Sequence, residues 1–367
     1  MDLNKLRDSK YKDGIKEVHD TAEQLRRDGT NPEDASLADV VMAKYQVSEE
    51  AYLADLGIDP SRETIHAMQT VKDVDVRWII PEIFRRALVL GYRAAPIYPN
   101  IIAGEEQMKG LKQKMPYINM SDAAPRKVGE SETIPLGAIS YGEKEFEIYK
   151  IGRGISITYE VQQYSSLNLV SRFLEDFGVK LGHAMDTLCI DTLINGEQAD
   201  GSESAPVIGV ANAATKVYAD FLTIWVRLAR MGRFPTTTLG GEAAAILTLN
   251  LAEFKTPVTG TPVHVLKVQT PIPRDMNYFI HGDIPANQEL IVDPKKAVLK
   301  FNANPLLIEN ERIVSNQTMA FYATLTTGFA KLFRDASLIM DKSLAFASGN
   351  GFPSYMDIDP LQNVTID

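Results

Sequence analysis

Residues 128–158 show the alternation of apolar and polar side chains that is typical of β-structure. Phe146 and Ile148 fall on one parity of this alternation, and Tyr149 and Ile151 fall on the other. The pattern predicts an extended β-hairpin, and a hairpin of this length that runs straight into a helix cannot bury its own faces. A neighbouring copy of the chain is the simplest cover for these four side chains, so the pattern indicates a protein that assembles.

A long helical periodicity follows the hairpin. Ser166 is a suitable N-cap residue, and Asn195 followed by Gly196 is a typical helix stop. At 1.5 Å per residue the helix between them would span roughly 40 Å. The apolar residues at helical spacing, which we predict to form its core face, include Phe173, Phe177, Leu181 and Leu188.

The rest of the chain divides by composition. The first 75 residues are polar and charged, and their predicted helices carry thin apolar stripes that need another surface to cover them, so we predict an arm. A packed core begins at Val76, where VRWIIPEIFRRALVLGY predicts a helix. Residues 206–325 alternate helical and strand-like segments, as expected of an α+β lobe, and a strand predicted at 336–340 is expected to return to the core begun at Val76.

Composition excludes several classes of function. The 367 residues carry a formal net charge of -10, which argues against a basic surface for nucleic acid. Residues 1–75 alone hold 17 acidic and 10 basic side chains, so most of this charge lies in the predicted arm. The longest apolar runs fall far short of the ~20 residues that a bilayer span needs, and no membrane partner is expected. The single cysteine, Cys189, excludes an internal disulfide, and we expect it to be a buried, small apolar residue.

No pattern in the sequence points to catalysis. The five histidines are scattered without the spacing of a metal site, and the glycine pairs lack the pattern of a phosphate-binding loop. No nucleophile elbow and no Ser-His-Asp set can be assigned. We therefore expect no catalytic residues, no metal and no cofactor. An α+β enzyme that uses acidic pairs such as Asp357 and Asp359 is the remote alternative.

Four segments, in the same order, resemble the major capsid protein of tailed double-stranded DNA phages, the Hong Kong 97 fold family. IIPEIFRRALVL at 79–90 is similar to the opening of the family's peripheral domain, and residues 128–158 resemble its extended loop. ISITYEVQQYSSLNLVSRFLEDFGVKLGHAMDTLCIDTLINGE resembles the short helix, the spine helix and the small-residue stop. NPLLIENERIVSNQTMAFYATLTTGFAKLFRDASLIMD resembles the final strands. The resemblance covers about residues 76–341.

The resemblance implies an α+β capsid fold with an N-terminal arm, an extended β-hairpin loop, a peripheral domain with a long spine helix, and an axial domain. The implied boundaries are 1–75 for the arm, 76–127 for the first part of the peripheral domain, 128–158 for the extended loop, 159–205 for the spine-helix part of the peripheral domain, 206–325 for the axial domain, 326–341 for the peripheral return strand and 342–367 for a C-terminal tail.

The function implied by the resemblance is structural rather than enzymatic. The chain would self-assemble into hexamers and pentamers of an icosahedral phage head that encloses double-stranded DNA, assembled in the host cytoplasm and found in the virion. Its implied partners are further copies of itself, a portal, scaffold or decoration proteins, and packaged DNA bound nonspecifically. The acidic arm would pack on neighbouring subunits or face scaffold. An encapsulin-type shell, which shares the fold and packages an enzyme, is the alternative; the 75-residue arm and the developed loop favour the viral interpretation.

Overall fold

The chain divides into two compact units. The first unit consists of Met1–Pro96, Lys150–Met185 and Asn304–Thr327, and the second consists of Ile97–Tyr149, Asp186–Ala303 and Gly328–Asp367. The structure is a computed structural model, and it describes residues 15–27, 37–56, 79–94, 96–108, 110, 112–118, 128–131, 139–197, 204–230, 232–251 and 277–345.

Most of the predicted helices are present in the described residues. They are α1 (Ile15–Arg27), α2 (Leu37–Tyr45), α3 (Glu49–Asp55), α4 (Ile79–Ala94), α5 (Tyr159–Tyr164), α6 (Leu167–Asn195), α7 (Tyr218–Arg230) and α8 (Glu242–Leu249). The long helix α6 has the ends that its sequence predicts. The backbone N–H of Leu169 donates to Ser166 Oγ at 3.4 Å, and Gly196 follows the helix with a φ of 75°.

Eleven strands are found in the same described ranges. They are β1 (Ile102–Gln107), β2 (Lys112–Ile118), β3 (Ile139–Glu147), β4 (Tyr149–Thr158), β5 (Val207–Val210), β6 (Thr237–Gly240), β7 (Asn277–Ile280), β8 (Gln288–Val292), β9 (Val298–Ile313), β10 (Thr318–Lys331) and β11 (Ser337–Ala345). The mixture of helices and sheets confirms the predicted α+β class.

The core of the first unit forms where α4 and α6 cross. A Cβ added at Gly178 of α6 would lie 2.1 Å from the carbonyl oxygen of Leu88, and one at Gly91 of α4 would lie 1.9 Å from that of Glu175. Both helices therefore need glycine for their backbones to approach this closely. Phe84 of α4 packs edge-on against Phe321 of β10, with ring centroids 5.0 Å apart.

The N-terminal helices α1 to α3 belong to this same core. Val18, Val41 and Tyr52 are buried in one cluster with Phe84 of α4 and Leu174 of α6. The apolar stripes of the predicted arm therefore find the surface that they need within their own chain, which sequence periodicity cannot reveal because it does not show which surface covers a stripe.

Two buried carboxylates lie between the N-terminal helices and α4. Glu49 forms an ion pair with Arg86 of α4, and burial raises the pKa of the Glu49 carboxyl although the Arg86 charge opposes this. Glu82 of α4 lies 3.8 Å from Nε2 of His19. These polar contacts help to orient the helices on the core that they cover.

A five-stranded sheet organises the second unit, in the order β5-β11-β8-β6-β7. Helix α7 covers this sheet with Phe221, Ile224 and Leu228, which pack with Ile208 and Ile291. Strand β11 pairs in parallel with β5 and antiparallel with β8. The strand predicted at 336–340 thus exists, but it pairs with this sheet and not with the core begun at Val76, because a local pattern does not specify a strand's partner.

The end of the chain matches the sequence expectation only in part. Strand β11 runs to Ala345, so the predicted tail at 342–367 begins inside a strand. Residues 346–367, including the acidic pair at Asp357 and Asp359, lie outside the described residues.

Candidate assembly surface

Phe146 and Ile148, predicted as intersubunit residues of the extended loop, are buried by their own chain. Phe146 is 1% exposed, and its ring centroid lies 4.4 Å from that of Phe301. Ile148 packs in the same cluster, and a Cβ at Gly328 would lie 2.7 Å from its Cγ2 atom. The expectation that these two side chains need a neighbouring copy is wrong, because β9 and β10 supply the cover.

Strands β3 and β4 do not pair with each other as the hairpin predicted within 128–158 requires: β4 pairs with β10 in another sheet, and β3 pairs with β2. Strands β2 and β3 are antiparallel, with Gln113 opposite Phe146 and Lys112 opposite Glu147. Lys112 and Glu147 also form an ion pair. The loop is therefore anchored at its base by a strand from residues 112–118, a region whose sequence pattern is too irregular to identify it as a partner.

Tyr149 and Ile151, the other two predicted loop residues, differ in exposure. Tyr149 is 57% exposed, whereas Ile151 is half-buried. An intersubunit role for them stays a prediction, and Tyr149 has the exposed surface that such a role requires.

Gly152 and Gly154 lie within strand β4. A Cβ at Gly152 would lie 2.7 Å from Cγ2 of Thr324, and one at Gly154 would lie 2.8 Å from the Tyr322 ring. The glycines therefore let β4 lie close to β10. Between them, the guanidinium of Arg153 lies 5.9 Å from the ring centroid of Phe177 on α6.

The predicted core face of α6 is correct for two of its four residues. Phe177 and Leu181 are buried, and Leu188 is half-buried. Phe173 is 61% exposed, so its assignment to the core is wrong. With ~100° between successive residues, Phe173 lies to one side of the buried stripe that runs through Val170, Leu174 and Leu181.

Phe173 is one of four large apolar side chains exposed on two consecutive helices. Val161 and Tyr164 lie on α5, and Leu169 and Phe173 lie on α6 after the break at Ser165 and Ser166; their exposed fractions are 41%, 78%, 46% and 61%. We call these four residues the α5–α6 face. Sequence periodicity shows an apolar helix here, but it cannot separate residues that pack inside the subunit from residues that are left exposed.

A buried polar cluster ties together several elements of the second unit. Lys216 Nζ donates to Thr248 Oγ1 of α8 at 2.5 Å and forms an ion pair with Glu289 of β8. The Tyr278 hydroxyl of β7 donates to the same carboxylate at 2.7 Å. Lys216, Thr248 and Glu289 are all buried, so this arrangement links β7, β8 and α8 and does not form an open site.

Burial dominates the protonation of this cluster. It lowers the pKa of Lys216 to about 8, although the nearby Glu289 carboxylate favours the charged ammonium. Burial and the same carboxylate both raise the pKa of Tyr278. Cys189 of α6 is buried, as predicted, and burial raises the pKa of its thiol, which makes it a poor nucleophile.

The sequence matches no family model and no curated protein, but the fold matches solved structures. A virus-like particle from Pyrococcus furiosus is 11% identical, with 71% of this chain and 98% of that chain covered at a TM-score of 0.51. A structure from Microbacterium phage Oxtober96 is also 11% identical, with 68% and 91% covered at a TM-score of 0.50. The holo-SrpI encapsulin complex from Synechococcus elongatus PCC 7942 is 9% identical, with 68% and 89% covered at a TM-score of 0.46.

The chain has the Hong Kong 97 fold. This confirms the fold class and the resemblance that the order of segments indicates. The division of this Hong Kong 97 fold into arm, extended loop, peripheral domain and axial domain stays a prediction. Among the helices of the described ranges, none is both long and apolar enough to cross a membrane.

Proposed function

We propose that this protein is the major capsid protein of a phage head. Copies of the chain form the hexamers and pentamers of an icosahedral shell that encloses double-stranded DNA. The observation that supports this most strongly is the likeness to the Pyrococcus furiosus virus-like particle, which extends over 98% of that chain. The role is structural rather than enzymatic, and it agrees with exposed apolar side chains on a subunit that already buries a core of its own.

The partners follow from this role. In the proposed virion the chain contacts further copies of itself, a portal, and scaffold or decoration proteins during or after assembly in the host cytoplasm. Contact with the packaged DNA is nonspecific, since a net charge of -10 does not provide the clustered cations that tight binding to phosphates needs.

The experiment that tests this function examines the contents of the shell. Particles are purified from cells that carry the gene, treated with nuclease, and analysed by mass spectrometry and DNA extraction. We expect the particles to contain double-stranded DNA protected from the nuclease, together with a portal protein. An encapsulin-type shell, which has the same fold, would instead contain a cargo enzyme and neither a portal nor protected DNA, and that result would contradict the phage assignment.

A further inference from the structure

The first part of α6 carries more apolar surface than its own subunit buries. Leu167, Val170 and Leu174 pack into the core of the first unit, whereas Leu169 and Phe173 lie beside them on the same helix and are exposed. At ~100° per residue the exposed pair lies on one flank of the buried stripe. A helix that is apolar over so much of its circumference is expected to be covered on both flanks.

The exposed apolar area on α5 and α6 can be compared with the area of a standard protein interface. Val161 and Tyr164 are exposed on α5, the helix directly before α6, so four large apolar side chains are exposed within thirteen consecutive residues. Their exposed fractions correspond to roughly 400 Å² of side-chain surface. A standard interface buries about 800 Å² on each partner, with an apolar centre and a polar rim. The α5–α6 face is therefore large enough for the centre of one such interface.

The charges on the same helices restrict the kind of partner. The charged residues within 159–180 are Glu160, Arg172, Glu175, Asp176 and Lys180, which amount to three acidic and two basic groups. Lys180 and Asp176 already form an ion pair at 2.5 Å. A polyanion such as DNA or an anionic lipid surface needs clustered cations, and this face does not offer them. Mixed charges around an apolar centre fit a protein partner.

We propose that the α5–α6 face is a contact surface between two copies of this chain. This inference rests on the proposed shell function, in which the abundant partner of every subunit is another subunit. It places an assembly contact on the helices at 159–173, distinct from the hairpin residues Phe146 and Ile148, which the subunit buries itself.

The test compares full-length variants in an assembly assay. Phe173→Asp and, independently, Tyr164→Asp place a charge in the centre of the face, while Asn168→Asp adds the same charge to an exposed polar position of α6 as a control. Because both apolar side chains are largely exposed in the subunit, circular dichroism and the unfolding midpoint should match those of the wild type. Sedimentation velocity and electron microscopy should show at least a tenfold lower assembled fraction for the two face variants and normal shells for the control.

The assembly assay distinguishes a failure of the proposed α5–α6 contact from a failure of the proposed shell function. If the wild type forms shells and both face variants form them equally well, the α5–α6 face is not a contact between copies, and the proposed function stands. If the wild type itself stays monomeric at high micromolar concentration, the shell function fails and the inference fails with it.

Discussion

Gly178 decides whether α4 and α6 can cross at the distance found in the first unit. A methyl group there would lie 2.1 Å from the carbonyl oxygen of Leu88, and backbone atoms cannot move aside as the end of a flexible side chain can. Glycine usually weakens a helix, so its presence inside the long helix α6 is explained by this contact and not by helix propensity.

We predict that Gly178→Ala lowers the free energy of unfolding by about 3 kcal/mol, the upper part of the range for overpacked sites. The control is Gly282→Ala, where an added Cβ meets nothing within 4 Å and the change should stay within about 0.5 kcal/mol. Urea unfolding followed by circular dichroism measures both. If Gly178→Ala instead stabilised the protein by about 1 kcal/mol, as propensity alone predicts, the close crossing would be wrong.

Lys216 is expected to make stability depend on pH. Its pKa is about 8 in the folded protein and 10.5 in the unfolded chain, so between these values the unfolded chain binds more protons. The free energy of unfolding therefore rises with pH across this window, by at most about 1.4 kcal/mol per pH unit from this group. Above pH 10 the raised pKa of Tyr278 acts in the opposite direction, because the unfolded tyrosine loses its proton first.

The measurement for Lys216 is a series of denaturant unfolding curves between pH 8 and 10 for the wild type and Lys216→Met. The free energy of unfolding of the wild type should rise more steeply with pH than that of the variant, since only the wild type carries the titrating ammonium. Equal slopes would show that Lys216 keeps an ordinary pKa in the folded protein.

At the scale of elements, local sequence patterns predict whether a segment forms a helix or a strand. They do not show which distant element that helix or strand packs against. The ends of α6 are correct because Ser166 and Gly196 act through their own backbone neighbours. The hairpin is different, since its cover comes from Phe301 and Ala330, more than 150 residues away. The predicted core position of Phe173 is wrong for a related reason, since helical spacing marks apolar positions and does not show which partner covers them.

The N-terminal helices allow a direct test of element packing. Leu53 of α3 is buried against the core of the first unit, so we predict that Leu53→Ala lowers the free energy of unfolding of the isolated subunit by about 2–4 kcal/mol. Met42→Ala of α2 is the control, because Met42 is exposed in the same block of helices and should cost less than about 0.5 kcal/mol. If Leu53→Ala and Met42→Ala changed the free energy of unfolding of the dissociated subunit by equally small amounts, the N-terminal helices would form a free arm that is covered only in an assembly.

At the scale of the whole molecule, the Hong Kong 97 fold could be predicted although sequence identity to solved structures is only 11%. Four segments in a fixed order carry this information, because a fold constrains the pattern of apolar positions far more than the identity of each residue. The α5–α6 face, which we propose as a contact between copies, could not be predicted in the same way. Exposed apolar residues such as Tyr164 and Phe173 have the sequence pattern of core residues until the core of the folded chain is known.

The most direct test of the central claim is electron microscopy of the purified full-length protein, combined with its sedimentation coefficient. We expect closed icosahedral shells that are built from hexamers and pentamers of this chain alone. A monodisperse monomer at micromolar concentration, with no closed particles on the grid, would contradict it.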